Sequence, residues 1–212
     1  MKIETIEIAG LAGALTALRL PFGKEVRSNI ESQIGFHPSE FGENPSFGGS
    51  SIIVIDPKDL TLMQTLVKRG DEHAKVVRGI MVWARIKAPV YFTRELETYR
   101  AGRERLSSSS TMHQECQGLS GEELQRAKAE LPMGTEQDFV DVYSYQTLRR
   151  IVAQRHDHRL PELHQFIDWV RTLPFAEELI LVGLEDRREI EEKAKRFDMI
   201  KDVLENAESV NH

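Results

Sequence analysis

The sequence predicts a mixed α/β (α+β) fold, a small sheet flanked by helices, in one domain over residues 1–183. Two segments, Ile80–Ile86 and Phe139–Tyr143, alternate their side chains with the period of two that is typical of a β-strand. Several other segments start with a helix-capping residue or a proline and continue with apolar side chains at helical spacing. The chain has 212 residues, 40% of them hydrophobic, which suffices for a full core.

The N-terminal part predicts an edge strand, a helix and an irregular segment. Ile6 and Ile8 alternate with polar neighbours, and an Ala- and Leu-rich stretch between Gly10 and Pro21 has helical character. Residues 35–51 are rich in Gly, Pro and Ser but also contain three Phe residues. We expect an irregular, ordered loop that covers an apolar surface there, with a disordered insert as the alternative.

The next part predicts a helix, a strand and a second helix. Asp56 and Pro57 indicate a helix start, because the carboxylate can accept a backbone N–H and the proline ring presets the first helical φ. Gly70 can end this helix in the left-handed conformation. The first predicted strand follows, and Pro89 predicts the opening of a helix that continues to Thr98.

Beyond Gly102 the pattern predicts a loop and then a capped helix. The segment Ser107–Thr111 is a run of hydroxyl side chains, which we expect to form a loop. Ser120 and Glu123 have the spacing of a capping box, so a helix should begin there and end before Pro132.

The C-terminal part predicts two further helices and a tail. Ser144 follows the second predicted strand and can cap a helix that ends around residues 155–158. Pro161 opens the next helix, and Pro174 closes it. Residues 184–212 carry apolar side chains at helical spacing amid dense charge. We expect a C-terminal amphipathic helix, docked on the body of the protein or on a sister subunit.

The charge balance disfavours a nucleic-acid partner. Lys and Arg total 28 against 34 Asp and Glu, a net charge of -6, so a broad positive surface is not expected, although a local basic pocket is compatible. Cys116 is the single cysteine, which excludes an intrachain disulfide and fits a reducing compartment. No segment has the length and apolar character of a membrane span or a secretion signal, so we expect a cytoplasmic protein without a membrane partner.

The common nucleotide and protease signatures are absent from the sequence. It contains no Gly-x-Gly-x-x-Gly after a strand, no Gly-Lys-Ser/Thr phosphate loop and no His-Glu-x-x-His. A metal site built from His156, His158, His164 and Glu162 is the weaker interpretation, because histidine at a helix C-terminus also complements the helix dipole. We therefore predict no metal.

A mixed-charge run over residues 94–105 is the candidate site that the pattern itself indicates. It follows a predicted strand directly and precedes the hydroxyl-rich segment, so guanidinium and hydroxyl groups can converge at one end of a sheet. Such convergence is how proteins hold a phosphate group. A solvated face with weak ion pairs is an equally compatible interpretation.

An ordered series of residues between positions 57 and 170 includes Gly70 with His73, the stretch Ile86–Arg94, the stretch Ala127–Pro132, and Arg155. This series resembles the flavin-dependent thymidylate synthases (ThyX). The resemblance implies a ThyX-like mixed sheet flanked by helices and a homotetramer with sites between subunits. It also implies one-carbon transfer to carbon 5 of deoxyuridine monophosphate (dUMP). In that family the carbon comes from methylene-tetrahydrofolate and the hydride from FAD that NADPH has reduced.

The resemblance also assigns roles to single residues. The family pattern Arg-His-Arg-x-x-Ser-x-Asn-Glu-x-Ser-x-Arg falls on residues 98–110, where Arg100 and Ser108 match it. The substrate-binding candidates are Glu95, Arg100, Ser108, Lys128 and Arg155. The cofactor-binding candidates are His73, Ser144 and Gln146.

A second set of residues comprises Glu72–Lys75, Ala88–Tyr91, Thr98–Gly102, Ser110–His113 and Arg155–Glu162. This set resembles uncharacterised bacteriophage proteins of the same type. Its candidate catalytic residues, which can transfer protons, are Tyr99, His73 and His113. Alternatively, these side chains tie the loop to the helices through hydrogen bonds.

Two functions from different classes follow. The first is a transferase of pyrimidine deoxynucleotide metabolism, phage or prophage in type, that modifies dUMP with FAD. The second is a non-catalytic nucleotide-binding or interaction module that kept the fold and lost the flavin site. Assembly with a larger partner through the C-terminal helix is a third interpretation.

Overall fold

The computed structural model describes residues 1–24, 29–37, 46–110 and 116–184, and for residues 29–37 and 46–53 it describes the backbone alone. The strands are β1 (Lys2–Ala9), β2 (Asn29–His37), β3 (Ser46–Val54), β4 (Met81–Pro89), β5 (Arg103–Ser108) and β6 (Glu136–Ser144). The α-helices are α1 (Leu11–Arg19), α2 (Pro57–Lys68), α3 (Val90–Leu96), α4 (Gly121–Glu130), α5 (Tyr145–Arg155) and α6 (Pro161–Arg171). Short 3-10 segments cover Leu20–Phe22 and Ala74–Arg78, and a π-helical turn covers Glu177–Leu181. The amphipathic helix predicted for the C-terminal tail lies outside the described residues.

The strands form one mixed sheet in the order β2-β3-β1-β4-β6-β5. β1 and β3 are parallel, and the other neighbouring strands are antiparallel. The predicted mixed α/β architecture is confirmed. The prediction that β1 is an edge strand is wrong, because β3 pairs with it on one side and β4 on the other. Its alternating side chains report which face is buried, not which edges are paired.

Part of the segment 35–51, predicted to be irregular, is regular strand. Residues 35–37 end β2, residues 46–51 belong to β3, and Gly35 lies opposite Gly48 in their antiparallel register. The prediction is wrong for these residues because a ladder is built from backbone groups, which glycine and serine supply as other residues do. Residues 38–45 lie outside the described part of the chain.

The hydroxyl-rich segment after Gly102 is also partly strand. Ser107 and Ser108 lie in β5, where they pair with Val140 and Phe139 of β6. The predicted loop is therefore wrong at these two positions, because edge-strand pairing through the backbone leaves both side chains exposed to solvent. Residues 111–115 lie outside the described residues.

The helix boundaries predicted at Asp56, Gly70, Ser120 and Ser144 are confirmed. Asp56 accepts a hydrogen bond of 2.9 Å from the backbone N–H two residues on, and Ser144 accepts one of 3.2 Å from the third residue on. Gly70 has a φ of 107°. α4 begins after Ser120 and ends before Pro132 as predicted, but the capping box of Ser120 and Glu123 is wrong, because α4 starts without a side-chain cap hydrogen bond. Its N-terminal turn is exposed, so water can hydrate the free N–H groups.

The core lies between the helices and one face of the sheet. Val82, Ala84 and Ile86 of β4 are fully buried, as the alternation of this strand predicts. Phe166 of α6 packs edge-on against Tyr143 of β6, with their ring centroids 5.6 Å apart. The helices therefore rest on a rigid sheet, which can hold side chains at its edges in fixed positions. None of the helices in the described ranges is long and apolar enough to cross a membrane.

Candidate functional site

Four polar side chains, which we call the Arg155 cluster, meet where the C-terminal ends of α3 and α5 approach each other: Glu95, Tyr99, Arg155 and His158. The Arg155 Nε atom donates a hydrogen bond of 3.0 Å to the Tyr99 hydroxyl. An Arg155 terminal nitrogen lies 3.3 Å from a Glu95 carboxylate oxygen. The Arg155 side chain remains 23% exposed, so the cluster lies at the protein surface.

Local structure fixes both sides of this cluster. α3 ends at Leu96, two residues before the predicted end, and a backbone hydrogen bond of 3.0 Å from Tyr99 to Leu96 continues the turn. The Tyr99 ring is buried, which holds its hydroxyl in place. Arg155 is the last residue of α5, whose first turn is capped by Ser144. The guanidinium group is therefore oriented by the fold before any ligand binds.

His158 extends the cluster toward α6. Its Nδ1 atom accepts a hydrogen bond of 3.2 Å from the backbone N–H of Leu160. The neutral ring therefore carries its proton on Nε2, which lies 4.0 Å from the Glu95 carboxylate. Glu95 is thus placed between two donors, Arg155 and His158.

A tyrosine–carboxylate pair continues the row along α3. Tyr91 precedes Glu95 by one helical turn, and its hydroxyl donates a hydrogen bond to a carboxylate oxygen of Glu162 on α6. This hydrogen bond raises the pKa of Tyr91. The second carboxylate oxygen of Glu162 is buried and has no hydrogen-bond partner among the described residues. Tyr91 and Glu162 therefore form a pair of protonatable groups between α3 and α6, one helical turn from Glu95.

A second polar region, which we call the Gln146 cavity, opens at the start of α5. It has a volume of about 330 Å³ and is lined by Asp71, Arg78, Ala101, Gly102, Ser144, Gln146 and Arg150. Gln146 is buried, with 8% of the residue exposed. Arg78 donates to the Asp71 backbone carbonyl at 2.9 Å, and Arg150 lies 3.5 Å from the Asp71 carboxylate. Two guanidinium groups against one carboxylate give this cavity a local positive charge.

Gly102 forms a tight wall of the Gln146 cavity. Its φ of 77° lies in the left-handed region, and a Cβ atom there would overlap the Thr147 hydroxyl and lie 2.6 Å from the Ser144 hydroxyl. The Ser144 hydroxyl is itself bonded to the Thr147 hydroxyl at 2.9 Å while it caps α5. The Ser144 hydroxyl therefore stabilises the start of α5.

A third region is a larger and mostly apolar groove of about 610 Å³ beside α1. Its lining is dominated by small and apolar side chains, among them Ala14, Ala17 and Phe22, and its polar members are His73 and Lys75. The lining residues of this groove and of the Gln146 cavity do not overlap.

An ion network at Asp141 of β6 was not predicted. Its carboxylate is fully buried and accepts hydrogen bonds from Arg103 at 2.5 Å and 2.8 Å, from Arg105 at 2.9 Å and from the Tyr143 hydroxyl at 2.9 Å. Burial, together with the adjacent Asp141 charge, raises the pKa of Tyr143 well above its usual value. The sequence contained a signal for a buried carboxylate, because Asp141 lies between the aromatic residues Phe139 and Tyr143 on the same face of the predicted strand.

Part of the predicted site is brought together. The substrate candidates Glu95 and Arg155 and the catalytic candidate Tyr99 meet in the Arg155 cluster. Ser144 and Gln146, both predicted as cofactor-binding residues, line the same cavity. The structure adds two further residues to that cavity, Arg78 and Arg150, which no spacing in the sequence indicates because they come from separate elements.

Other predicted residues lie apart. His73 lines the apolar groove rather than the Gln146 cavity. Ser108 is at the far end of β5, about 16 Å along the strand from its first residue at the rise of an extended chain. Lys128 is exposed on α4, and Arg100 is exposed and stands in the sequence between Tyr99 of the Arg155 cluster and Ala101 of the Gln146 cavity. The catalytic candidate His113 lies outside the described residues.

The histidines considered as metal ligands make other contacts. The His164 ring lies 2.7 Å from the His158 carbonyl oxygen, and the His156 ring lies 2.7 Å from the Asp157 carboxylate. Within the ranges that the structure describes, no three His, Cys, Asp or Glu side chains are grouped in a way that could hold a metal ion.

Comparison with known proteins identifies the fold. No family model matches the sequence, and no curated protein matches it significantly. The crystal structure of Thymidylate Synthase X (ThyX) from Helicobacter pylori with FAD and dUMP superimposes with a TM-score of 0.59 at 13% identity, covering 85% of this chain and 97% of that one. A second structure, flavin-dependent thymidylate synthase ThyX from Helicobacter pylori complexed with FAD and dUMP, gives a TM-score of 0.57 at 14% identity, covering 86% and 98%. The ThyX-like α/β fold that the resemblance implied is therefore confirmed.

Proposed function

We propose that this chain is a divergent ThyX-like protein that binds a pyrimidine deoxynucleotide, dUMP, with the phosphate on Arg155. The observation that carries the proposal is the oriented, partly exposed guanidinium group of Arg155, held by Tyr99 from one side. Arginine binds phosphate through paired, charge-assisted hydrogen bonds, each contributing about 1.5–3 kcal/mol. Both Helicobacter pylori ThyX structures of this fold contain dUMP.

Arg100 extends this nucleotide site in the proposal. It is exposed and adjacent in sequence to Tyr99, and it precedes the residues that wall the Gln146 cavity. A nucleotide whose phosphate lies on Arg155 can therefore also meet the charge of Arg100. The surplus of guanidinium groups at the Gln146 cavity supplies a further positive field for an anionic ligand.

Within a single copy of this chain, the three cofactor-binding candidates do not line one pocket that could hold FAD. Ser144 and Gln146 line one cavity, but the Ser144 hydroxyl is already used to cap α5, and the third cofactor-binding candidate, His73, belongs to a separate groove. The Gln146 cavity, at about 330 Å³, is at the small end of ligand pockets, which span roughly 300–1,000 Å³. We therefore derive no step that passes through a flavin in this chain.

Two versions of the function differ in chemistry. In the version that the geometry favours, the chain is a nucleotide-binding module without a flavin. In the version that the fold likeness favours, it transfers a one-carbon unit to carbon 5 of dUMP and requires FAD, NADPH and methylene-tetrahydrofolate. In both versions the proposal includes a cytoplasmic homo-oligomer, a tetramer by resemblance, which light-scattering mass measurements test.

Calorimetric titration with dUMP tests the binding claim. The wild type is compared with Arg155→Ala and with Arg159→Ala, a matched control on an exposed arginine four residues further on. We expect Arg155→Ala to weaken binding by about 10- to 150-fold, the equivalent of 1.5–3 kcal/mol, and Arg159→Ala to leave it unchanged. Equal affinity of the two variants, or no binding by the wild type, would refute the proposal.

The visible absorption spectrum of the purified protein separates the two versions. A flavin-containing protein absorbs at about 450 nm, as expected for an oxidised flavin cofactor. We expect a colourless protein that still binds dUMP and does not oxidise NADPH in the presence of methylene-tetrahydrofolate. A flavin band together with transfer of a one-carbon unit to dUMP would establish the transferase instead.

A further inference from the structure

The Glu95 carboxylate occupies a terminal nitrogen of the Arg155 guanidinium group, where an anionic ligand could otherwise bind. The guanidinium group has two polar contacts in the cluster, one from Nε to the Tyr99 hydroxyl and one from a terminal nitrogen to the Glu95 carboxylate. The neutral Tyr99 hydroxyl orients the arginine without neutralising its charge. The Glu95 carboxylate does neutralise it, and it does so from a position that is 34% exposed. An anion that binds the terminal nitrogen now paired with Glu95, and so meets the full charge of Arg155, must therefore displace this carboxylate.

We propose that Glu95 is a specificity-determining residue that restricts Arg155 to ligands bearing a dianionic phosphate monoester. This inference rests on the proposed nucleotide-binding function. A phosphate monoester carries about -1.5 to -2 charges near neutral pH, because its second pKa is about 6. A phosphodiester or a carboxylate carries one negative charge, the same as Glu95 itself. A free nucleoside monophosphate therefore outcompetes the resident carboxylate, and a nucleic-acid backbone does not.

His158 gives the displaced carboxylate a second partner. Its Nδ1 atom is occupied by the Leu160 N–H, so its Nε2 proton faces Glu95 at 4.0 Å. A rotation of the Glu95 side chain away from Arg155 can shorten the distance between its carboxylate and His158 Nε2. The carboxylate then keeps a hydrogen bond when the phosphate arrives, which reduces the cost of displacement.

Titration of single-residue variants with dUMP and with deoxyuridine tests this inference. The test variant is Glu95→Gln, which keeps the shape and removes the charge. The matched control is Glu97→Gln, an exposed acid of the same turn that lies 3.9 Å from Arg105 and outside the cluster. We expect Glu95→Gln to tighten dUMP binding roughly three- to tenfold, from the loss of a competing ion pair and of like-charge repulsion. Deoxyuridine affinity, and all affinities of Glu97→Gln, should not change.

A second variant tests the role of His158. His158→Ala should weaken dUMP binding in the wild-type background and have no effect when combined with Glu95→Gln, because the carboxylate that needs a partner is then gone. Unchanged or weaker dUMP binding by a folded Glu95→Gln variant would overturn the inference while leaving the proposed function intact. If neither the wild type nor Glu95→Gln binds dUMP, the proposed function itself fails. Glu95→Ala provides the same comparison if Glu95→Gln does not fold.

Discussion

Removal of the Asp141 carboxylate should destabilise the protein far more than removal of the neighbouring Asp138 carboxylate. Both residues lie on β6 and both pair with arginine, but Asp141 is fully buried whereas Asp138 is 28% exposed. Truncation of Asp141 leaves Arg103 with a buried, uncompensated charge, since that side chain is 6% exposed. Breaking a buried pair in this way costs about 3–5 kcal/mol, whereas an exposed pair contributes about 0.2–1 kcal/mol.

Urea unfolding at neutral pH, followed by circular dichroism, measures both effects. Asp141→Ala should lower the free energy of unfolding by about 3–5 kcal/mol, a large share of the roughly 5–15 kcal/mol that stabilises a typical domain. Asp138→Ala, with its Arg85 partner also partly exposed, should lower it by less than about 1 kcal/mol. Equal destabilisation by the two variants would refute the argument that burial makes the Asp141 network essential to the sheet edge.

Three further predictions concern the backbone, alkaline pH and the anion site. Gly10→Ala should destabilise the protein by more than about 1 kcal/mol, because the φ of Gly10 is 91° and a Cβ atom there would overlap a carbonyl oxygen. Gly13→Ala, in open space on α1, should instead stabilise the protein by roughly 0.5–1 kcal/mol. Thermal unfolding of the two variants compares these effects. Burial raises the pKa of Tyr145 above its usual value near 10, so the unfolded state loses this proton first and stability should fall as pH rises above about 10. Tyr145→Phe should flatten that decline, and an unchanged slope would contradict the assignment. Arg100→Ala should weaken dUMP binding by about 1.5–3 kcal/mol if its guanidinium group contacts the phosphate, and unchanged affinity in a titration would remove it from the site.

The elements that the sequence predicts well are those whose patterns have a single physical cause. Ile80–Ile86 alternates because one face of β4 is buried, and Asp56 with Pro57 starts α2 because the cap and the ring act locally. The β2–β3 pair was not predicted, because its Gly35 and Gly48 have weak local preferences for a strand. Pairing of distant backbone segments decides that structure.

In the candidate site too, contacts between residues close in sequence were predictable, and contacts between distant residues were not. Glu95 and Tyr99 are one turn apart in sequence, and their closeness follows from that spacing. Their contact with Arg155 depends on how α5 packs against α3, which no local pattern encodes. Arg78 and Arg150 meet at the Gln146 cavity for the same reason, across more than 70 residues of chain, and were found in the structure alone.

The central claim is that the Arg155 cluster binds the phosphate of a pyrimidine deoxynucleotide. The most direct test is calorimetric titration of the wild-type protein with dUMP and, separately, with deoxyuridine, at the same ionic strength. The account predicts that dUMP binds and that deoxyuridine binds at least about tenfold more weakly, because the phosphate supplies charge-assisted bonds that the nucleoside lacks. Equal affinity for the two ligands, or no binding of dUMP, would contradict it.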